Sequence, residues 1–223
     1  MPDRIILFAN GELPNPHHAR SLIQPHDFIL CADGGTHHAL ALGLTPNLII
    51  GDLDSLDAET VQRLRNAGAE IRRFPRDKDY TDLELALQAA QELHPQKVLL
   101  LGALGGRLDQ MLANIFLLAR PAFASLDIIL MSEQERAQVV RNETIVRGEP
   151  GDIVSVLPLT PDVTGLSYHS GLRWPLQDAT LPFGSTRGIS NELTAEKARI
   201  TLRSGVILVI HRQAPRATAR GYR

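Results

Sequence analysis

Short apolar runs and helical spacings alternate through the first part of this chain, and that alternation decides most of what can be read from it. Arg4–Ala9, Phe28–Ala32, Leu48–Ile50, Glu70–Phe74, Lys97–Gly102 and Leu126–Met131 each have the length of a strand, and most stop at Gly, Asp or Asn. Helices are expected between several of them. In Thr81–His94 the residues Leu83, Ala86, Leu87, Ala90 and Leu93 share one helical face, and Thr81 and Glu84 have capping-box spacing. Leu108, Met111, Leu112, Ile115 and Ala119 repeat that spacing and predict the apolar face of a further helix. Strand–helix alternation of this kind implies a mostly parallel sheet flanked by helices.

After Pro150 the helical signal fades. Asp152–Leu157, Ala198–Arg203 and Val206–His211 have strand character, and Arg203-Ser204-Gly205 has the composition of a hairpin turn between the last two. The fold class expected is therefore α/β, an N-terminal mostly parallel sheet with helices followed by a small C-terminal antiparallel β-sandwich. The domains are placed at 1–138 and 139–223, and the basic segment Gln213–Arg223 is expected to fray.

Composition narrows the function. In 223 residues, 23 basic against 25 acidic side chains leave a net charge of −2, so no global field favours nucleic acid or an anionic membrane. Cys31 is the only cysteine, which excludes a disulfide within the chain and leaves a cysteine-based zinc site without ligands. The apolar stretch Ile5–Ala9 is too short for a signal h-region, and Val98–Leu104 is far shorter than a membrane span. The expected location is the cytoplasm.

Acidic clusters stand at the predicted strand ends: ADGG at Ala32–Gly35, GDLDSLD at Gly51–Asp57, RDKDYTD at Arg76–Asp82 and GGRLD at Gly105–Asp109. Carboxylates this dense repel one another by roughly 1 kcal/mol per close pair even at water-like dielectric. A fold that converges them needs a compensating cation, and oxygen-only donors suit a hard one such as Mg²⁺. The nearby glycines, with Lys78 and Arg107, suit phosphate. In an open α/β sheet ligands bind beyond the carboxyl ends of the strands, so the loops at Asp33-Gly34-Gly35, Asp52–Asp54 and Gly105-Gly106-Arg107 should open onto one edge. Asp52 and Asp54, two residues apart, would point the same way from an extended segment. Asp82 and Asp109, each in the first turn of a helix, can also serve the helix dipole. Asp57 and Asp77 are set aside as capping or surface groups, and His17, His18, His37 and His38 as solvated loop pairs. Cys31 is expected to be a buried strand residue, and Trp174 is open between core and ligand.

These blocks together resemble the ordered signature of the thiamine pyrophosphokinase family. ADGG, GDLDS (Gly51–Ser55), DKDYTDLELAL (Asp77–Leu87) and GGRLDQ (Gly105–Gln110) are followed by SGLRWPL (Ser170–Leu176) and GISNE (Gly188–Glu192) in the second half. The resemblance implies transfer of the pyrophosphoryl group of ATP to the hydroxyl of thiamine, giving AMP and thiamine diphosphate, by a homodimer with its active site at the subunit interface. It implies Asp52, Asp54 and Asp82 as Mg²⁺ carboxylates and Asp109 as a further active-site acid, the candidate proton acceptor. It implies Lys78, Thr81 and Arg107 against the ATP phosphates, with the Asp33-Gly34-Gly35 loop beside them. In the second domain it implies Trp174 against the thiamine rings and Ser190 and Asn191 next to it. Thr36-His37 stands where the family commonly has Ala-Asn, and Gln110 where many bacterial members have His.

Two other readings compete. One is a Mg²⁺-dependent phosphohydrolase or glycosyltransferase built on Asp52-x-Asp54; a phospho-aspartate hydrolase would want its aspartates after the first strand, which here ends at Asn10-Gly11. The other is a thiamine- or nucleotide-binding regulatory protein, which would keep the binding groups and lose the metal carboxylates.

Overall fold

The computed structural model describes residues 1–215, which fall into a compact unit Met1–Glu133 and a second that begins at Gln134. The first unit runs β1 (Arg4–Phe8), α1 (Pro16–Ser21), β2 (Phe28–Ala32), α2 (Gly35–Ala41), β3 (Leu48–Gly51), α3 (Ala58–Asn66), β4 (Glu70–Arg73), α4 (Asp82–Glu92), β5 (Lys97–Leu101), α5 (Leu108–Ala119) and β6 (Ile128–Met131). Its strands pair in parallel in the order β6-β5-β1-β2-β3-β4. Both faces of the central strands are covered, which is why they read as continuous apolar runs rather than alternating ones. Ile6, Phe8, Ile29, Cys31, Ile49 and Leu99 pack into one core cluster with residues of α1, α2 and α3, while α4 packs on β2 and β3. The chain reverses its direction of travel across the sheet at β1, between β2 and β5, a topological switch point where loops part to leave a crevice.

Helix α4 keeps its expected face, with Leu83, Ala86, Leu87 and Ala90 buried, but its capping box is one-sided. Thr81 Oγ1 accepts from the Glu84 N–H at 3.2 Å, whereas the Glu84 carboxylate pairs with Arg120 instead of reaching back. Helix α5 differs more. The face expected in the core is largely outside it: Leu108 and Leu112 are 64% and 42% exposed, Phe116 beside them is 50% exposed, and Leu117 and Leu118 are buried instead. In LDQMLANIFLLA the polar Asp109, Gln110 and Asn114 gather on one side, so spacing points the opposite face inward; the Asn114 Nδ2–H bond to the Ala103 carbonyl, 3.0 Å, instead turns part of the polar side toward the protein.

The second unit contains β7 (Glu135–Val140), β8 (Glu143–Arg147), β9 (Ile153–Pro158), β10 (Asp162–Ser170), β11 (Ala179–Pro182), β12 (Asn191–Glu192), β13 (Lys197–Thr201) and β14 (Ile207–Arg212). Two antiparallel sheets, β12-β9-β14-β7 and β11-β10-β13-β8, enclose a core of Val140, Val154, Val156, Val163, Leu166, Ile200, Ile207 and Val209, the expected sandwich. Because β7 and β8 belong to it, two of its strands precede Pro150, where the helical signal fades. The hairpin expected at Arg203-Ser204-Gly205 does not form. β13 pairs with β10 and β8, and β14 with β7 and β9, so this segment carries the chain from one sheet to the other. Ser204 bridges Thr164, and a Cβ on Gly205 would approach the Asp162 carbonyl oxygen to 2.7 Å, so the crossing is packed against β10.

Asp152 fastens the end of this unit. Burial pushes its carboxyl up, but hydrogen bonds from the Ala214 and Glu149 N–H groups and from His211 outweigh that and hold it below the usual carboxylate range. Asp152 Oδ2 lies 2.8 Å from His211 Nε2 and its Oδ1 accepts from Ala214 at 2.9 Å. Gln213 also bonds the Gln134 carbonyl, so the start of the basic segment is held; residues 216–223 of that segment lie outside the described residues.

Candidate active site

The acidic loops converge at the carboxyl ends of the parallel strands. Asp33 follows β2, and Asp52 and Asp54 follow β3, and one carboxylate oxygen from each lies within 4.8 Å of the others. The geometry differs from the extended segment expected. Leu53 has a φ of 64° and is buried in the core, while the Asp54 N–H folds back onto Asp52 Oδ1 at 3.0 Å. The buried Leu53 is the anchor, and the turn around it presents both acids on the same side. Gly51 is needed because a Cβ there would stand 2.8 Å from the Asp33 Cβ.

Asp33 itself is buried with a φ of 43°, and its Oδ1 accepts from Ser55 Oγ at 3.2 Å. Burial raises its carboxyl above the ordinary value; hydrogen bonds from Gly34 and Ser55 oppose this, and the charges of Asp82 and Asp52 add to the rise. A carboxylate held in a left-handed backbone beside two like charges is strained and repelled at once. The sequence puts the Asp33 loop among the acidic clusters expected on one edge and, by resemblance, beside the phosphates; the adjacency of β2 and β3 brings its carboxylate within reach of Asp52 and Asp54.

Asp82, at the first position of α4, lies close to the same group. Its Oδ1 is buried and makes no hydrogen bond, although Lys78 Nζ stands 3.1 Å away as an ion pair. Lys78 is itself directed to the Pro75 carbonyl at 3.1 Å. Asp57 caps α3 through the Thr60 N–H at 2.7 Å, the capping role expected.

A cavity of about 560 Å³ opens beside these acids, lined by Asp33, Thr81 and Asp82 and by the loops after β1 and β5. Gly105 and Gly106 both take positive φ, 83° and 70°, in the loop that leads into α5. Such a loop entering a helix N-terminus offers amides and a favourable dipole to an anion. Arg107 lines the cavity but spends its guanidinium on Asp109, with contacts of 3.1 and 2.6 Å. That hydrogen bonding, with the Gln110 N–H, lowers the Asp109 carboxyl below the usual range. Asp109, Gly34 and Gly35 do not line the cavity; the two glycines are buried where a Cβ would strike the Asn10 side chain and the Phe8 carbonyl. Asn10, Gly11, Glu12 and Asn114 line it unforeseen, and the one signal for the first three was a strand ending in Asn-Gly at the switch point. The histidine pairs lie on α1 and α2, not in loops, and His38 Nε2 is tied to the Gly11 carbonyl at 2.7 Å, so it supports the cavity wall.

The second unit has its own cavity, about 260 Å³, lined by Trp174, Asn191, Tyr168, Pro175, Leu176, Arg187 and Ile189. Trp174 is 55% exposed and thus not a core residue. Ser190, with φ 59°, does not line it and hangs its N–H on Ser155 Oγ at 3.0 Å. Three of the five described non-glycine residues with positive φ, Asp33, Leu53 and Ser190, thus lie in the motif loops. Tyr168 is buried, its phenol pushed up to about 12 by desolvation. No helix among the described residues is long and apolar enough to cross a membrane.

An α/β unit with acids and a glycine loop at its switch point, in one chain with an aromatic-lined β-sandwich, defines a phosphate-handling enzyme with a separate module for an apolar or cationic ligand. The chain belongs to the thiamin pyrophosphokinase family: residues 19–130 match the family model "Thiamin pyrophosphokinase, catalytic domain" and residues 142–207 match "Thiamin pyrophosphokinase, vitamin B1 binding domain". It is 30% identical over 187 residues to the thiamine pyrophosphokinase of Bacillus subtilis, covering 83% of this chain and 87% of that protein. Thiamine pyrophosphokinase 1 of Oryza sativa is 29% identical over 208 residues, covering 81% and 77% respectively. Among solved structures the Bacillus subtilis thiamine pyrophosphokinase superposes with a TM-score of 0.83 at 28% identity, covering 95% of this chain and 100% of that one. The Candida albicans enzyme, at 16% identity and a TM-score of 0.79 over 95% and 89%, shares the fold.

Proposed function

We infer that this protein is a thiamine diphosphokinase, moving the pyrophosphoryl group of ATP onto the hydroxyl oxygen of thiamine. The observation that carries the chemistry is the convergence of Asp33, Asp52 and Asp54 beside a cavity whose lining includes a fourth acid, Asp82, paired with Lys78. Repulsion among these oxygen donors fits a hard dication, so Asp52, Asp54 and Asp82, with Asp33, would hold Mg²⁺. When bound, the ion would neutralise charge on the polyphosphate oxygens.

The remaining work belongs to the chain. The Gly105-Gly106 loop and the α5 N-terminus receive phosphate oxygens, Lys78 and Thr81 approach from the α4 side, and Arg107 is the bidentate donor once it turns from Asp109. In the reaction the thiamine hydroxyl oxygen bonds to the β-phosphorus, the bond from that phosphorus to the α-phosphate bridging oxygen breaks, and AMP leaves while the hydroxyl proton is given up. Positioning and charge neutralisation supply most of the acceleration of such transfers. Asp109 is the proposed proton acceptor: Arg107 keeps it ionised, and the same Arg107 makes it more basic by leaving it for phosphate. Trp174 supplies the π face that attracts the thiamine cation, by roughly 0.5–2 kcal/mol.

We place the enzyme in the cytoplasm as a homodimer, with the nucleotide cavity of one subunit completed by the Trp174 cavity of its partner. The support in the structure is the stripe Leu108, Leu112 and Phe116, an i, i+4, i+8 apolar ridge left exposed on α5 directly after the phosphate loop. Leu112→Asp should shift the sedimenting mass from dimer to monomer and reduce turnover with it; a variant that still sediments as a dimer would move the interface elsewhere. The assay that tests the function is incubation with ATP, Mg²⁺ and thiamine. AMP and thiamine diphosphate should appear together, whereas ADP with thiamine monophosphate, or phosphate release without thiamine, would replace this reading by simple phosphorylation or hydrolysis.

A further inference from the structure

Trp174 is the sole tryptophan of the chain, and an indole this exposed is not held still by packing. Two sets of polar contacts hold it. Asn191, buried on β12, accepts from the Trp174 N–H at 3.1 Å and donates to the Trp174 carbonyl at 2.7 Å. Its oxygen also accepts from the Glu192 N–H at 2.9 Å. On the ring itself lies the guanidinium of Arg173, 5.4 Å from the centroid. Arg173 does not line the 260 Å³ cavity, whereas Trp174 does, so the cation meets the indole from outside the cavity. Glu192 fixes that cation once and its backbone once: Arg173 Nη1 donates to the Glu192 Oε2 at 2.9 Å, and the Arg173 main-chain N–H donates to the Glu192 carbonyl at 3.0 Å.

We propose that Arg173 and Glu192 are positioning residues for the acceptor, a clamp that backs the Trp174 ring so that its free face is presented to the cavity; this rests on the reading that the cavity takes thiamine. Asn191 is the third part of the clamp. With its amide oxygen and nitrogen both engaged on the Trp174 main chain, it sets the indole's origin from the cavity wall that it also lines. Two effects of Arg173 on a cationic acceptor oppose each other. Its charge repels a second cation across the ring, but Glu192 neutralises it and the guanidinium is more than half exposed, so water screens what is left. A ring without backing must instead be ordered anew at each binding event, and immobilising one large side chain outweighs the screened repulsion.

The test uses the whole protein and its single fluorophore. In wild type, thiamine added without nucleotide should quench the Trp174 emission and define a dissociation constant. Arg173→Met keeps the aliphatic stem and loses the cation. It should lower Trp174 anisotropy, raise the thiamine dissociation constant and KM about five-fold, and leave the ATP KM as the internal reference. Arg173→Lys should recover most of that loss, and Glu192→Gln should fall between the two; an exposed ion pair of this kind contributes little to folding, so all three should stay folded. Unchanged anisotropy and thiamine affinity in Arg173→Met would overturn the clamp, as would tighter binding, which would mean that repulsion dominates. Wild-type emission that does not respond to thiamine would overturn the cavity's assignment and the clamp with it, and that failure shows before any variant is made.

Discussion

Asp54→Ala is expected to lower AMP formation from ATP and thiamine about a thousand-fold while moving the melting temperature by no more than about 2 °C. The two halves of this expectation rest on different observations. Asp54 is an exposed side chain whose contacts are a 3.9 Å approach to Arg76 and its place among the acids, so the fold gains little from it. The charge it adds to the Asp33–Asp52 group, however, is what a polyphosphate-bound dication needs, and losing several kcal/mol of charge stabilisation costs about a factor of ten for every 1.4 kcal/mol. Asp82→Asn should lose activity to a similar degree. Its stability should fall by about 1 kcal/mol as well, because the mostly buried Lys78 loses its ion-pair partner. Turnover within ten-fold of the unsubstituted enzyme in both variants would take the metal away from this site.

Trp174→Ala is expected to raise the KM for thiamine roughly 30-fold, about 2 kcal/mol, with the KM for ATP unchanged. The exposed indole adds little to the core, so the variant should unfold within about 1 kcal/mol of wild type. Its value to the protein lies in a flat π face beside a small cavity that also offers Leu176, Ile189 and Arg187. Comparison of the two KM values makes the measurement specific. An equal rise in both KM values would describe a distorted fold, and no rise in either would place the acceptor somewhere other than this cavity.

The architecture of the first unit was legible because each central strand is covered on both faces and each helix lies between two of them, so apolar runs and spacings map onto elements directly. Helix α4 was read on its correct face since polar Gln88, Gln91 and Glu92 mark the other side. In helix α5 the polar Asp109, Gln110 and Asn114 mark the wrong side as outward, because Asn114 reaches the Ala103 carbonyl, a contact between residues whose proximity no local pattern encodes. The same limit explains Arg203-Ser204-Gly205: its composition fits a hairpin, but the partners of β13 and β14 come from elsewhere in the chain. At the site, motif order located Asp52, Asp54, Asp82, Arg107 and Trp174 as candidates. It could not show that the Asp33 carboxylate comes within reach of Asp52 and Asp54, that Arg107 is occupied by Asp109, or that Asn191 is bonded to the main chain of Trp174. Those are facts of three-dimensional neighbourhood.

The switch point that opens the crevice also sets an order for synthesis. Ile5, Ile6, Leu7 and Phe8 of β1 are fully buried, yet β1 finds β2 soon after emerging and β5 only after β3, β4 and α4 have been made. Until Val98–Leu101 leave the ribosome, a strand with four fully buried residues has one open edge, and that edge is a template for any other extended chain nearby. The strand order that opens the crevice thus also leaves β1 with an unpaired edge for nearly half of translation, until β5 closes over it.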